Sequence, residues 1–150
     1  MAAPLLQAQI DINAPVTKVW ELVSDLKLMP QWSPQCRLMK SFGPLRAGAK
    51  TINVNRRKFL VWPTTSQITE FIPEKKLAFR VNENGTVWSY ELEPTDTGTR
   101  LVETRHAENG VKPFSTMTVN ALMGGVPSFE QELVDGMNQS LARIKAAAER

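Results

Sequence analysis

Between residues 128 and 150 the chain reads SFEQELVDGMNQSLARIKAAAER. Phe129, Leu133, Met137, Leu141 and Ile144 recur at steps of four, four, four and three, which draws an apolar stripe down one helix face. Ser128 is a suitable N-cap, with Glu130 and Glu132 in the first turn and Arg143, Lys145 and Arg150 in the last turns. Each sign sits where the helix dipole favours it. The pattern predicts a helix over 128–150, and such a helix needs an apolar surface to lie on.

The rest of the chain supplies strands. Leu6, Ala8, Ile10 and Ile12 alternate with Gln7, Gln9 and Asp11, the pattern of a half-buried strand. Asn13-Ala14-Pro15 then opens a helix, with Asn13 as its cap and a proline tolerated in the first turn. Val16, Val19, Trp20 and Val23 form its apolar face, and Ser24-Asp25 and Pro30 end it. Residues 28–34, LMPQWSP, read as a loop or short helix carrying Trp32. Strand-like runs follow near 36–42, 49–56, 64–72, 76–83, 86–93 and 99–106. Gly43-Pro44, Gly48, Pro73-Glu74, Asn84-Gly85 and Asp96-Thr97-Gly98 mark turns, and Asn84-Gly85 is a hairpin signal. With the first strand this makes seven, and the short connections predict antiparallel meanders after the first crossover. Residues 107–127 are less regular: Met117, Leu122, Met123 and Val126 are loosely helical, and Gly124-Gly125 and Pro127 break the chain.

Composition narrows the class. At 150 residues, 42% apolar and 22% charged, the chain is expected to form one soluble globular domain. Lysine and arginine number 18 against 15 aspartates and glutamates, too small and scattered an excess to argue for nucleic acid. The dense run Arg56-Arg57-Lys58 reads as a solvated hairpin or strand end. The single cysteine, Cys36, rules out an internal disulfide and fits a reducing compartment. The N-terminal residues lack the basic start of an export signal, and no segment has the length of a membrane span. The expectation is a cytoplasmic protein, monomer or homodimer, without stable membrane insertion.

Candidate chemistry is sparse. One histidine, His106, and one cysteine offer no metal-ligand spacing. No Gly-x-Ser-x-Gly elbow and no glycine-rich phosphate loop occur, so neither a metal nor a cofactor is expected. Apolar material is richer: Trp88, Tyr90 and Leu92 share one strand face, as do Leu77, Phe79 and Val81 on the strand before. Those faces line either a solid core or a cavity. Thr51, Asn53 and Asn55 face either solvent or the same interior. In the last strand Val102, Thr104 and His106 share one face and Leu101, Glu103 and Arg105 the other. An inward His106 would serve as an acid or base; at a strand end it would otherwise be exposed or capping. Glu103 and Arg105 read as a cross-strand ion pair or as ligand anchors. Met117, Met123 and Met137 either adapt to an apolar ligand or fill core gaps.

Three stretches carry a family resemblance: IDINAPVTKVWELVSDLKLMPQW at 10–32, GTVWSYELEPTDTGTRLVETR at 85–105, and LARIKAAAE near the end. They resemble the START-related SRPBCC superfamily, with its polyketide cyclase/dehydrase-like and lipid-transfer members. Asn55-Arg56 and Trp62 resemble an actinobacterial-type subgroup. The resemblance implies an α+β helix-grip fold: a seven-stranded curved antiparallel sheet wrapped around the long C-terminal helix, with a short helix after the first strand and a cavity inside. It favours a cavity over a solid core and an inward Asn55. Some relatives carry an aromatic and a glycine where this chain has Thr51 and Asn53, which alters the pocket. The function implied is binding, or transport, of a hydrophobic small molecule such as a lipid, fatty acid or polyketide. The ligand-binding candidates are Trp32, Asn55, Trp62, Phe79, Trp88, Tyr90, Thr104, Phe129, Leu133 and Met137. In this arrangement Leu141 and Ile144 pack on the sheet while Phe129, Leu133 and Met137 roof the cavity. The alternative is a polyketide cyclase or dehydratase moving protons with Tyr90, His106 and Asn55. A protein-interaction module is the third reading; no charged tail or large apolar stripe favours it.

Overall fold

A computed structural model describes residues 5–107 and 126–150, the last segment with side chains from residue 130 onward. The loosely helical piece expected within 107–127, with Met117 and Met123, lies almost entirely outside the described residues, as does the Phe129 side chain.

The elements run β1 (Leu5–Ile12), α1 (Val16–Ser24), a 3-10 turn (Leu26–Leu28), α2 (Met29–Trp32), β2 (Cys36–Phe42), β3 (Lys50–Arg57), β4 (Leu60–Ile72), β5 (Lys76–Val81), β6 (Val87–Pro94), β7 (Thr99–His106) and α3 (Val126–Ala148). The strands form one antiparallel sheet in the order β1-β7-β6-β5-β4-β3-β2. β2 to β7 are a simple meander; the chain then closes by laying β1 beside β7, Leu5 opposite His106 through Ile12 opposite Thr99. Register shifts between Cys36 and Leu38 in β2 and between Ile68 and Glu70 in β4 mark bulges, which bend a sheet and let it wrap. The fold is the α+β helix-grip arrangement.

Alternation explains the core. Val19, Trp20 and Val23 of α1 and Leu141, Ile144 and Ala148 of α3 are buried with Ile12, Leu92 and Leu101 of the sheet. Trp20 meets Phe71 with ring centroids 5.5 Å apart. Trp32 is core too: its indole nitrogen donates to the Leu22 carbonyl at 3.3 Å, and Arg143 donates to the Trp32 carbonyl at 3.1 Å. That pair of bonds ties α1, α2 and α3 together.

Several boundaries differ from the sequence expectation. α3 starts at Val126, so Glu130 and Glu132 fall after the first turn and Ser128 is inside the helix. Pro127 is compatible with this, because the first N–H groups of a helix have no intrahelical partner. Asn13 does not cap α1; the N-cap is the extended Pro15, whose carbonyl accepts from Lys18 and Val19. Asn13 lies two residues too early, and its backbone N–H donates instead to Glu149 at 2.8 Å. β4 begins at Leu60, well before the expected 64, because a two-residue turn at Lys58-Phe59 carries the chain straight back from Arg57. Lys58 takes a left-handed conformation (φ 56) that its side chain does not advertise. Pro63 is tolerated in β4 because residues 60–64 have β3 as their strand neighbour and β5 joins only from Ser66. Asn84-Gly85 does lie in a hairpin, with Gly85 at φ 75, but the last pair is Arg80 opposite Val87 and the loop is longer than two residues.

The turn between β6 and β7 abuts the β1–α1 junction. A Cβ on Gly98 would lie 2.2 Å from the Ile12 carbonyl oxygen and 2.8 Å from the Ala14 nitrogen, both backbone atoms that cannot step aside cheaply. Thr99, fully buried, donates to the Ala14 carbonyl at 2.8 Å in the same place. Gly98→Ala is therefore expected to cost roughly 2–4 kcal/mol. Urea unfolding measures it; a loss below about 0.5 kcal/mol would show that the junction yields.

Candidate functional site

α3 is packed along only part of its length. Its C-terminal half sits on β1 and α1 through Leu141, Ile144 and Ala148. Its N-terminal half stands off the sheet, fastened by two ion pairs: Arg105 of β7 to Glu130 at 3.2 Å, and Arg57 of β3 to Glu132 at 2.6 Å. These reach from opposite parts of the curved sheet, and between them lies a cavity of about 980 Å³, at the upper end of the range of small-molecule sites.

Period-two alternation decides what the cavity meets. β5 and β6 present Phe79, Val81, Trp88 and Tyr90; β2 presents Cys36 and Met39; α3 presents Leu133 and Met137. The polar inner face of β3 and β4 is also turned inward. Asn55 donates to the Thr64 hydroxyl at 3.0 Å, and Asn53 does so at 3.2 Å. Thr51 donates to the Asn53 side-chain oxygen at 2.9 Å and is hydrogen-bonded to Ser66. Thr51, Asn53 and Ser66 are all buried. The three alternating polar residues of β3 are thus interior groups that largely satisfy one another.

The deepest polar feature is on β6 and β7. Tyr90 and Glu103 are direct cross-strand partners, and Leu101, 0% exposed, fixes that face of β7 inward. The Tyr90 hydroxyl donates to Oε2 of Glu103 at 3.1 Å and lies 3.7 Å from the Met29 sulfur. Oε1 of Glu103 is buried with no hydrogen-bond partner. Burial pushes the Glu103 carboxyl up to about 8, which the Tyr90 hydrogen bond offsets only in part. Tyr90 is raised well above the ordinary tyrosine range by burial and then by Glu103, so it stays a phenol. Cys36, raised to about 11 chiefly by burial, stays a thiol. A neutral acid in apolar surroundings is a hydrogen-bond donor as well as an acceptor. Among the described residues no cluster of histidine, cysteine or acidic side chains is arranged to hold a metal ion.

The expected site residues divide. Asn55, Trp62, Phe79, Trp88, Tyr90, Leu133 and Met137 line the cavity. Trp32 is packed in the core beneath α1 and is not among the lining residues. Thr104 and His106 lie on the other face of β7, where Thr104 is hydrogen-bonded to Ser89 and His106 is exposed. Since Glu103 and Arg105 point in, their neighbours must point out. The Phe129 side chain is outside the described residues. Glu103 and Arg105, read from sequence as a pair with each other or as anchors, are both in the cavity wall, but Arg105 pairs with Glu130 instead. The available signal was their shared face with Leu101.

An open curved sheet gripping a helix over a lined cavity defines a ligand-binding class of fold. The chain belongs to the polyketide cyclase/dehydrase and lipid transport family, whose model matches residues 4–149. Among solved structures, it is similar to the di-domain ARO/CYC StfQ from the steffimycin biosynthetic pathway, at 15% identity and TM-score 0.77 over 97% of this chain. It spans only 50% of that protein's length. It also resembles the Polyketide_cyc-like protein Cgl2372 from Corynebacterium glutamicum (23% identity, TM-score 0.66, 95% of this chain and 90% of that one). The AHSA1-like protein from Aeromonas hydrophila is a third (17%, TM-score 0.67, 97% and 95%). Identities this low carry the fold alone. No curated protein matches the chain in sequence. Among the described residues no helix is long and apolar enough to cross a membrane.

The raised Glu103 carboxyl makes stability depend on pH. The unfolded chain loses this proton near 4.5, the native protein near 8. Between those values the native state holds the extra proton, so stability falls as pH rises through the window and levels off above it. Glu103→Gln removes the titration. Urea unfolding across pH 5 to 9 should show the variant gaining on wild type by up to about 1.4 kcal/mol per pH unit within the window. A constant gap would mean that Glu103 titrates alike in both states.

Proposed function

We propose that the protein binds a hydrophobic small molecule of the lipid, fatty-acid or polyketide kind in the cavity between the sheet and α3, as a monomer or homodimer. The observation that carries this is the interior itself: about 980 Å³ walled by aromatic and aliphatic side chains, with a few inward polar groups. A site that is mostly apolar with sparse, placed polar atoms is the form that small-molecule recognition takes. Family membership supports the same reading. A cytoplasmic setting fits the lone buried thiol of Cys36.

A second reading, a cofactor-independent cyclase or dehydratase, is favoured by the Tyr90–Glu103 pair facing the cavity. Tyr90 would turn its one proton from Glu103 to polarise a carbonyl, and Asn55 would hold a second oxygen; His106, on the outer face, takes no part. Under this reading Tyr90→Phe lowers turnover of a poly-ketone at least about 100-fold with little change in binding. Binding without turnover in the wild type would leave the first reading standing.

Native mass spectrometry of the protein purified without detergent tests the binding reading, with a bound apolar mass expected. Met137 is 2% exposed and sits where α3 roofs the cavity. Met137→Trp should fill the space below it and lower uptake of a fluorescent apolar probe at least tenfold, while costing no more than about 1–3 kcal/mol of stability. Unchanged uptake would show that the ligand space lies elsewhere.

A further inference from the structure

Glu103 poses a specific chemical question. It is 4% exposed and belongs to the cavity wall. One oxygen is engaged by Tyr90, and the other is buried without a partner. An unmet oxygen of this kind is costly in an apolar interior, and a ligand that meets it recovers that cost on binding.

The charges around it restrict which ligands can do so. Tyr90 of β6 is the titratable group bonded to it, Cys36 of β2 lies near Tyr90, and both stay neutral. Met29 of α2 contributes only a thioether. Arg105 lies two residues along the same face of β7, about 7 Å away by strand rise, and is 3% exposed. Its guanidinium is engaged by Glu130 of α3. The next cation outward, Arg57, is engaged by Glu132. The remaining basic residues of the wall, Arg37, Arg56 and Lys58, are exposed at the rim, where pairing with an anion is worth little. An anionic head that entered to the depth of Glu103 would add a negative charge to a region whose cation is already matched by a carboxylate. A neutral head adds none.

We propose that the unpartnered oxygen of Glu103 is the docking point for the head group of a neutral amphipath, a ketone, ester or alcohol, and that the cavity selects such molecules over carboxylate anions of the same length. The inference rests on the reading of the cavity as a ligand site and narrows its ligand class. Glu103 offers its proton from Oε1 to a ligand carbonyl while Oε2 keeps the Tyr90 bond; an alcohol can both accept that proton and donate its own. The aliphatic remainder lies against Trp88, Phe79, Met137 and Leu133. Since the carboxyl loses its proton near 8, a ligand that can only accept loses its donor above that pH.

The test is displacement of the neutral fluorophore phenylnaphthylamine by three molecules of one chain length: dodecanol, the corresponding methyl ketone, and dodecanoate. At about pH 7 the alcohol and the ketone should displace it at least tenfold more effectively than dodecanoate. Raising the pH to about 9.5 should weaken the ketone at least tenfold and the alcohol less, because the ionised carboxylate still accepts from a hydroxyl. In Glu103→Gln the amide keeps a donor at both values, so the ketone's pH dependence should vanish. Equal displacement by dodecanoate and ketone, or the same pH dependence in the variant, overturns the proposal while leaving the cavity as a ligand site. If none of the three displaces the probe, both fall together. The wild-type comparison needs no variant to fold.

Discussion

The division of α3 into a packed half and a suspended half governs this molecule. A helix of 23 residues is about 35 Å long, and its apolar stripe reaches past the surface that β1 and α1 offer it. Leu141, Ile144 and Ala148 close the core, and dispersion and water exclusion hold them there. Further up, the helix stands over the cavity, and Met137 is the last of the stripe to join the core. Arg105–Glu130 and Arg57–Glu132 hold it there, acting as two struts across a gap. Arg105–Glu130 is the more buried strut and the more consequential, since its charges are largely withdrawn from water, whereas Arg57 and Glu132 have water to fall back on.

The interior that results carries polar groups at a thermodynamic cost. Thr51, Asn53, Ser66, Glu103 and Arg105 are all buried on the inner face of a sheet whose fold would be more stable with aliphatic residues there. Most of that cost is offset by mutual hydrogen bonds along β3 and β4, which also fix the rotamers of the group. Glu103 is the exception, half satisfied and neutral. Groups retained against stability in a cavity wall are where a ligand's requirements are expected to show.

Much of the frame was legible in the sequence, because it rests on repetition. The steps of Leu133, Met137, Leu141 and Ile144 specify a helix face, and the alternations in β1, β6 and β7 specify strand faces, whatever surrounds them. The turn at Lys58-Phe59 was not legible: it uses a lysine at positive φ, with no glycine or asparagine to signal it. Of the site, the aromatic wall could be read, since Trp88, Tyr90 and Phe79 share their faces with leucines and valine. What could not be read was the sign of β7. Its two faces hold Leu101, Glu103 and Arg105 on one side and Val102, Thr104 and His106 on the other. By side-chain character the charged set should be wet, and the histidine looks the better catalyst. Only tertiary pairing, Tyr90 across from Glu103 and Glu130 above Arg105, makes the charged face the inner one. Trp32, a ligand-binding candidate from the resemblance, packs instead in the core, its indole bonded to the Leu22 carbonyl, a contact that no local pattern announces.

The two halves of α3 also set how a chain of this kind can diversify. The positions that fix the architecture, Leu141, Ile144, Thr99 and the tight junction at Gly98, stand apart from those that face the cavity. Changes at Leu133 or Asn55, which line the space but lie outside the core cluster, alter its shape and polarity with little effect on the frame. The shape of the enclosed space can therefore vary one residue at a time while the frame that encloses it is kept.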